Sequence, residues 1–571
     1  MHNAMKFATI EIHPKESGGK GMSHFTIKQI SSLEKVFPAE PYIGPEFSSF
    51  TVLKGEEFSY QVLYTKDAEL KNTAAVHIDS PLSSFITLRE VVYIPSEMPA
   101  YPEHDAYYIT DKAGLFPDLL APLQSNSIEI VARHNRTLWV SVKIPETFAS
   151  GIYPIRICFV DEASHLDTSV TFYLRVLDAV LPPQRLIVTQ WFHSDCIASY
   201  YGVDVFSDRY WTLVEHFIKT AAKNGCNMIL TPIFTPPLDT EVGGERPTVQ
   251  LIDIEKEGDT YRFTFDRLKQ WIEMCHRCGI QYFEMAHLFT QWGAGYTPKI
   301  VARQNGELTR IFGWDVKADS TEYRNFLRQM LPALTGFLKR EGVAQDTCFH
   351  ISDEPTKEHM ESYRAARGMV VDLLKGFKLT DALSDYDFYK SGLVSHPIVG
   401  NNHVEPFIEN NVRPLWVYYC CAQNTDVSNR FFAMPSYRNR IIGTQFFKYD
   451  VEGFLQWGYN FYYTNLSRRL IDPYHTTDCD CAFPSGDAFS VYPGPDGAYE
   501  SLRLKVFHDA LQDLRAMQLL SSLAGKDNVL KLIEHEAGMP IDWKHYPHSA
   551  DFILNLRSKI NLQIESHYMQ K

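Results

Sequence analysis

Two carboxyl groups stand side by side at Asp353 and Glu354, within Cys348-Phe349-His350-Ile351-Ser352-Asp353-Glu354-Pro355. Touching carboxylates cannot both ionise cheaply, so one is pushed toward keeping its proton at neutral pH. The dipeptide therefore offers an acid and a base together. Val343–Ile351 reads as a short, partly apolar strand. Thr356–Lys375 places Met360, Tyr363, Ala366, Met369, Val370, Leu373 and Leu374 at helical spacing, with Gly376 as the stop. Pro355 stands where proline opens helices, and it biases Glu354 toward an extended backbone. The pair is thus expected at the carboxyl end of a strand, beside a helix N-terminus whose partial positive charge favours a carboxylate. Asp-Glu-Pro is also an ordinary helix-start sequence, so neighbouring elements must carry the rest of the weight.

Those elements alternate. From Arg185 onward, strand-like runs at Leu186–Phe192, Cys226–Ile233, Gln281–Ala286, Thr347–Ile351, Lys378–Leu383, Pro397–Gly400, Leu415–Cys421 and Gly453–Tyr463 are interleaved with helical patterns. The helical patterns are Ser207–Asn224, Phe265–Arg277, Ser320–Arg340, the stretch after Pro355, Ser436–Phe447 and Tyr499–Leu523. Eight strands in this rhythm predict a parallel (β/α)8 barrel over residues 185–525, whose chemistry belongs at the carboxyl ends of its strands. Residues 1–180 read differently. Alternating runs such as Phe58–Tyr64, Thr137–Val142 and Val170–Val176, broken by turn-rich segments, predict one or two all-β sandwich modules. Leu181-Pro182-Pro183 reads as a stiff linker, and residues 526–571 as a helical appendage.

The expected strand ends share a chemistry. They carry Trp191-Phe192-His193-Ser194-Asp195, then Glu284 through Gln291-Trp292-Gly293, then Asp353-Glu354, then Trp416-Val417-Tyr418-Tyr419, then Gln456-Trp457-Gly458-Tyr459-Asn460. Sugar rings stack on aromatic faces, hydroxyls need polar partners, and cleavage of a glycosidic bond needs a carboxylic acid. A carbohydrate site follows, with Asp353 and Glu354 as catalytic candidates. His193, Asp195, Trp292, Trp416, Tyr418, Trp457 and Asn460 are the candidate binding residues. His193, His287 and Asp195 also raise a metal reading, but no His-x-His occurs at the first strand and hydrogen-bonding roles are preferred. Cys275-His276-Arg277-Cys278 has half the spacing of a zinc site without a second half, so neither metal nor cofactor is expected.

Composition narrows the classes. The 571 residues are 45% hydrophobic and 22% charged, which fits a globular protein of more than one core. A net charge of −14 argues against nucleic acid or an anionic membrane surface as the main partner. No run approaches a membrane span, and the start lacks the apolar stretch of a secretory signal. With ten scattered cysteines read as free thiols, the expectation is a cytoplasmic protein.

The sequence resembles glycoside hydrolase family 123, the β-N-acetylgalactosaminidases and their relatives. The resemblance rests on Trp191–Cys196, Asn227–Pro232, His350–Pro355, Trp416–Cys420, Gly453–Asn460 and Gly486–Gly494 leading to Ser501-Leu502-Arg503-Leu504, with Leu138-Trp139-Val140 and Gly151-Ile152-Tyr153-Pro154 ahead of them. It implies release of terminal β-linked N-acetylgalactosamine by a retaining, substrate-assisted mechanism in which the sugar's 2-acetamido oxygen is the nucleophile. In that scheme Asp353 orients the acetamido group, Glu354 is the general acid and base, Tyr418 donates to the acetamido carbonyl, and Trp416 and Trp457 wall the pocket. A glycosidase of other specificity and a non-catalytic carbohydrate-binding barrel are the alternatives.

Overall fold

A computed structural model describes residues 25–67, 72–161 and 166–569. The N-terminal part is one sandwich of two five-stranded sheets. The first runs in the order Phe25–Ser31, Glu57–Lys66, Arg136–Lys143, Ile86–Ser96, Gly114–Pro122. The second runs Ser49–Lys54, Leu166–Val180, Gly151–Asp161, Asn72–Asp79, Ser127–Ile130. Alternation supplies its core: Tyr60, Val62, Leu138, Val140, Ile155, Ile157, Phe172 and Leu174 all point inward and are fully buried.

The outward face of the first sheet is buried too. Ser59, Gln61 and Ser141 pack there, and Glu57 exchanges backbone bonds with the Gln512 amide. Gln512 lies on the long helix Leu502–Ala524, which is inside at nearly every turn. The sandwich is therefore one wall of a continuous core that runs into the second part of the chain.

That second part is the predicted barrel. Eight parallel strands close on themselves in sequence order: β1 Ile187–Gln190, β2 Met228–Thr231, β3 Tyr282–Met285, β4 Thr347–Phe349, β5 Lys378–Ala382, β6 His396–Gly400, β7 Trp416–Tyr418 and β8 Gly453–Gln456. Closure pairs Ile187 with Gly453 and Gln190 with Gln456. Helix caps follow the expected chemistry. The Ser207 and Ser320 side chains accept N–H bonds from Tyr210 and Tyr323 to start Asp208–Lys223 and Thr321–Arg340, and Gly279 ends Asp266–Cys278 in the left-handed conformation. After Pro355 the helix is shorter than its pattern, a 3-10 turn at Lys357–His359 followed by Met360–Val370.

Three features add to expectation. The loops after β2 and β3 each carry a hairpin, and together they form a four-stranded sheet, Thr260–Thr264, Asp253–Glu257, Ile300–Gln304 and Glu307–Phe312, on the rim of the barrel. Asn305-Gly306, both at positive φ, makes one of its turns. Leu181-Pro182-Pro183 is anchored on both sides. Leu181 is buried and donates its N–H to Lys54, while Arg515 donates to the Pro182 carbonyl. The C-terminal segment is helical as expected, Lys526–Ala537 and Ala550–Met569, and the second of these helices packs against both sandwich and barrel. Its Arg557 is ion-paired with Glu56 of the sandwich and with Asp513 of the long helix, and Asn561 donates to the Thr51 carbonyl. Among the described residues no helix is long and apolar enough to cross a membrane, and all ten cysteines are free thiols.

Candidate active site

Beneath the carboxyl ends of the strands lies a buried ionic floor. Glu284, near the end of β3, accepts hydrogen bonds from the Thr189 hydroxyl (2.8 Å) and the Trp191 indole (2.9 Å), and faces His350 Nε2 at 2.5 Å. His350 Nδ1 faces Asp381 of β5 at 3.3 Å, and Asp381 also accepts the Ile351 and Ser352 N–H groups and the Tyr363 hydroxyl. Burial disfavours an imidazolium here, yet the two carboxylates outweigh it and push His350 up to about 10. A protonated histidine is thus clamped between two acids. His287 stacks on it with ring centroids 4.3 Å apart and is held neutral by burial and by that charge.

His287, His350 and Asp381 bring ligand-type atoms within 4.8 Å of one another. Both His350 nitrogens are already engaged with carboxylates as donors, so the cluster has the form of a charge clamp and not of a metal ligand set.

Above this floor the strand ends open into a cleft with a void of about 660 Å3, counting the part open to solvent. Trp191, Leu455 and Ala382 form its base, Asp353 and Glu354 one wall, and Tyr418, Trp457 and Trp292 its aromatic sides. Burial and the neighbouring Glu354 push the Asp353 carboxyl well above the ordinary range. The Tyr418 hydroxyl donates to Glu354 Oε1 at 2.6 Å and lies 3.2 Å from the Ser384 hydroxyl. The Trp457 indole is fixed by Asp487 Oδ2 at 2.8 Å, and burial raises the Asp487 carboxyl to about 7 despite that bond.

Glu354 is not extended. Its φ is +43°, and the cleft residues Asp239 and Trp292 are also left-handed, at +41° and +56°. Non-glycine residues hold such conformations only where their surroundings impose them. The Trp292 N–H donates to the Asp353 carbonyl at 3.1 Å, so this loop and the carboxylate pair are tied together directly. A side chain at Gly293 would collide with His359, which closes the capping box of the next helix with Thr356.

The cleft gathers Asp353, Glu354, Trp292, Tyr418 and Trp457 from the sequence candidates. It does not gather four others. Asp195 is buried in a two-pronged ion pair with Arg246 (2.7 and 2.8 Å). His193 is wedged between Arg246 and the Trp457 carbonyl and pushed down to about 4 by burial and by that guanidinium. Asn460 braces the His193 backbone in both directions. These three hold the wall from behind. Trp416 lies at the opposite, N-terminal mouth of the barrel, where its indole fills the space that a side chain at Gly453 would need.

Glu284, Asp381, Asp239, Asp487 and Gln291 are not among the sequence candidates. The first two were legible as charges inside apolar parallel strands. Gln291 lines the cleft, accepts the Asp239 N–H through Oε1, and leaves its buried Nε2 without a protein partner.

A family model described as "Glycoside hydrolase 123, catalytic domain" matches residues 191–520. Among solved structures, a family 123 glycoside hydrolase from Clostridium perfringens, studied for glycolipid glycan hydrolysis, superposes with a TM-score of 0.70 at 15% identity, covering 96% of this chain and 98% of that one. A Parabacteroides merdae β-glucuronidase aligns with a TM-score of only 0.25 at 10% identity, covering 76% of this chain and 46% of that one. No curated protein sequence gives a match. With its barrel matched over more than half of its length, the chain belongs to glycoside hydrolase family 123.

Proposed function

We propose that this glycoside hydrolase releases terminal β-linked N-acetylgalactosamine with retention of configuration, the substrate's own acetamido oxygen acting as the nucleophile. The observation that carries the reading is the unequal pair: adjacent carboxyl groups in one cleft wall, Asp353 pushed up by burial and by its neighbour, Glu354 held by the Tyr418 hydroxyl.

Between them the two share one proton. In the free cleft, burial and the neighbouring Glu354 favour the protonated form of Asp353. A bound acetamido group offers its N–H to Asp353, which favours the ionised form there and leaves the proton to Glu354. Glu354 then protonates the departing oxygen as the acetamido oxygen attacks C1. Asp353 stabilises the positive charge that develops on the amide nitrogen. Water next attacks C1, giving its proton back to Glu354, and the C1–O bond to the acetamido group breaks. The unpartnered Gln291 Nε2 supplies a fixed donor for a sugar oxygen, and Trp457 a face for the ring. The ten free thiols suit action on imported oligosaccharides in a reducing compartment.

The test is release of 4-nitrophenol from the β-N-acetylgalactosaminide, the β-N-acetylglucosaminide and the β-galactoside. The first should be cleaved, and Glu354→Gln and Asp353→Asn should each lose about 10²–10⁴ in kcat. Cleavage of the plain galactoside would remove the acetamido nucleophile and the role of Asp353.

A further inference from the structure

The loop after β3 that brings Trp292 to the cleft carries two more aromatic rings, Tyr296 and Trp314. We infer that Tyr296 and Trp314 form a second platform, which binds a neutral sugar residue of the aglycone beyond the cleaved bond, so that the preferred substrate is an oligosaccharide and not a single glycoside. This rests on the glycosidase reading above.

Trp292 lines the cleft and is 52% exposed. Tyr296, four residues further, is 37% exposed and at most about 14 Å away by chain length. Its ring centroid is 6.0 Å from that of Trp314, which is itself half-buried at the edge of a shallow hollow. Trp292 and Tyr296 leave much of their ring surface to solvent, where an aromatic face can take a sugar ring.

The rings stand on a fixed backbone. Tyr296 exchanges bonds with Thr290, its N–H reaching the Thr290 hydroxyl at 3.1 Å and its carbonyl accepting the Thr290 N–H. Thr297 is bonded to Val316 through its N–H and to the Gly313 carbonyl through its hydroxyl. Ala318 donates to Gly295. A platform fixed in this way costs little ordering when a sugar stacks on it.

The hollow beside Trp314 decides the charge of the occupant. Lys299 pairs with Glu245 at 2.8 Å, and Arg310 pairs with both Asp315 and Glu245. Two cations and two anions cancel while keeping donors and acceptors in fixed places. Sugar hydroxyls fit such a rim, whereas a sialylated or sulfated residue would meet no net positive charge.

The experiment compares a disaccharide and a neutral tetrasaccharide, both ending in β-linked N-acetylgalactosamine, for wild type and Trp314→Ala. Wild type should favour the tetrasaccharide in kcat/KM, and the variant should lose about two- to tenfold of that preference, through KM, as one stacked ring is removed. An unchanged ratio would overturn the platform. A separate readout covers failure of the glycosidase reading: saturation-transfer NMR of the tetrasaccharide on Glu354→Gln should mark the reducing-end sugars, and adding Trp314→Ala should erase those signals. Enhancement confined to the terminal sugar would refute the platform even if cleavage is seen, and signals that persist without Trp314 would place the chain elsewhere.

Discussion

Replacing His350 by glutamine tests the ionic floor on which the site rests. The side chain is fully buried, and Glu284 and Asp381 hold it protonated up to about 10 against an ordinary value of 6.5. At about 1.4 kcal/mol per unit, that interval corresponds to about 5 kcal/mol of folding free energy. The sign is set by the direction of the shift. The folded state binds this proton more tightly than the unfolded chain, so the stabilisation is complete below pH ~6.5 and is lost as pH rises through about 10. Glutamine removes the charge but not the other donors, since Glu284 keeps Thr189 and Trp191 and Asp381 keeps Ile351, Ser352 and Tyr363. The expected loss at pH 7 is therefore about 3–5 kcal/mol, the usual cost of leaving buried charge without its partner. Guanidinium denaturation followed by tryptophan fluorescence at pH 7 and at pH 10.5 measures it. The gap between wild type and His350→Gln should be wide at pH 7 and narrow at pH 10.5, because thiols, lysines and tyrosines that titrate in this range are common to both. Parallel stability curves would mean that His350 is neutral in the fold, and the clamp would fall.

Two further outcomes follow from single contacts. Tyr418→Phe removes the hydroxyl that donates to Glu354, while Ser384 keeps its bond to the Gly400 N–H, so the fold should be spared. A hydrogen bond is worth about 0.5–1.5 kcal/mol net, which predicts a ~2–13-fold fall in kcat/KM on the aryl glycoside; a wild-type rate would take Tyr418 out of the mechanism. Arg557→Met strips the buried partner from Glu56 and Asp513 and should cost about 3–5 kcal/mol in unfolding free energy with kcat unchanged at 25 °C. A variant as stable as wild type would show that the C-terminal helix does not brace the two halves.

The barrel was legible because its strands are short apolar runs separated by helical spacing, with Ser207, Ser320 and Gly279 placed where capping needs them. Asp353 and Glu354 were legible because adjacency alone creates a charge conflict. What escaped was set by distance along the chain. Asp195 looks like a site residue until Arg246, 51 residues on, is seen to consume it. Trp416 was placed with Tyr418 at one strand end, but the two sit at opposite ends of the three-residue strand β7, and Trp416 fills the other mouth of the barrel. Glu354 was read as extended from Pro355 alone, while the cleft holds it left-handed.

That last departure bears on how the site works. Asp239, Glu354 and Trp292 come from the loops after β2, β4 and β3, and each is held at positive φ on the cleft surface. Each such residue costs about 1–3 kcal/mol and persists only where its neighbours over-determine it. The neighbours here form one bonded set. Asp239 donates to Gln291, Trp292 donates to Asp353, and Ser352 anchors both to Thr290 above the charged His350 floor. Strain in three loops is thus offset by a single buried polar network. Loosening its base at His350 should therefore blunt catalysis as well as stability, and the loss in kcat at pH 7 should remain after the rate is normalised to the folded fraction read by tryptophan fluorescence.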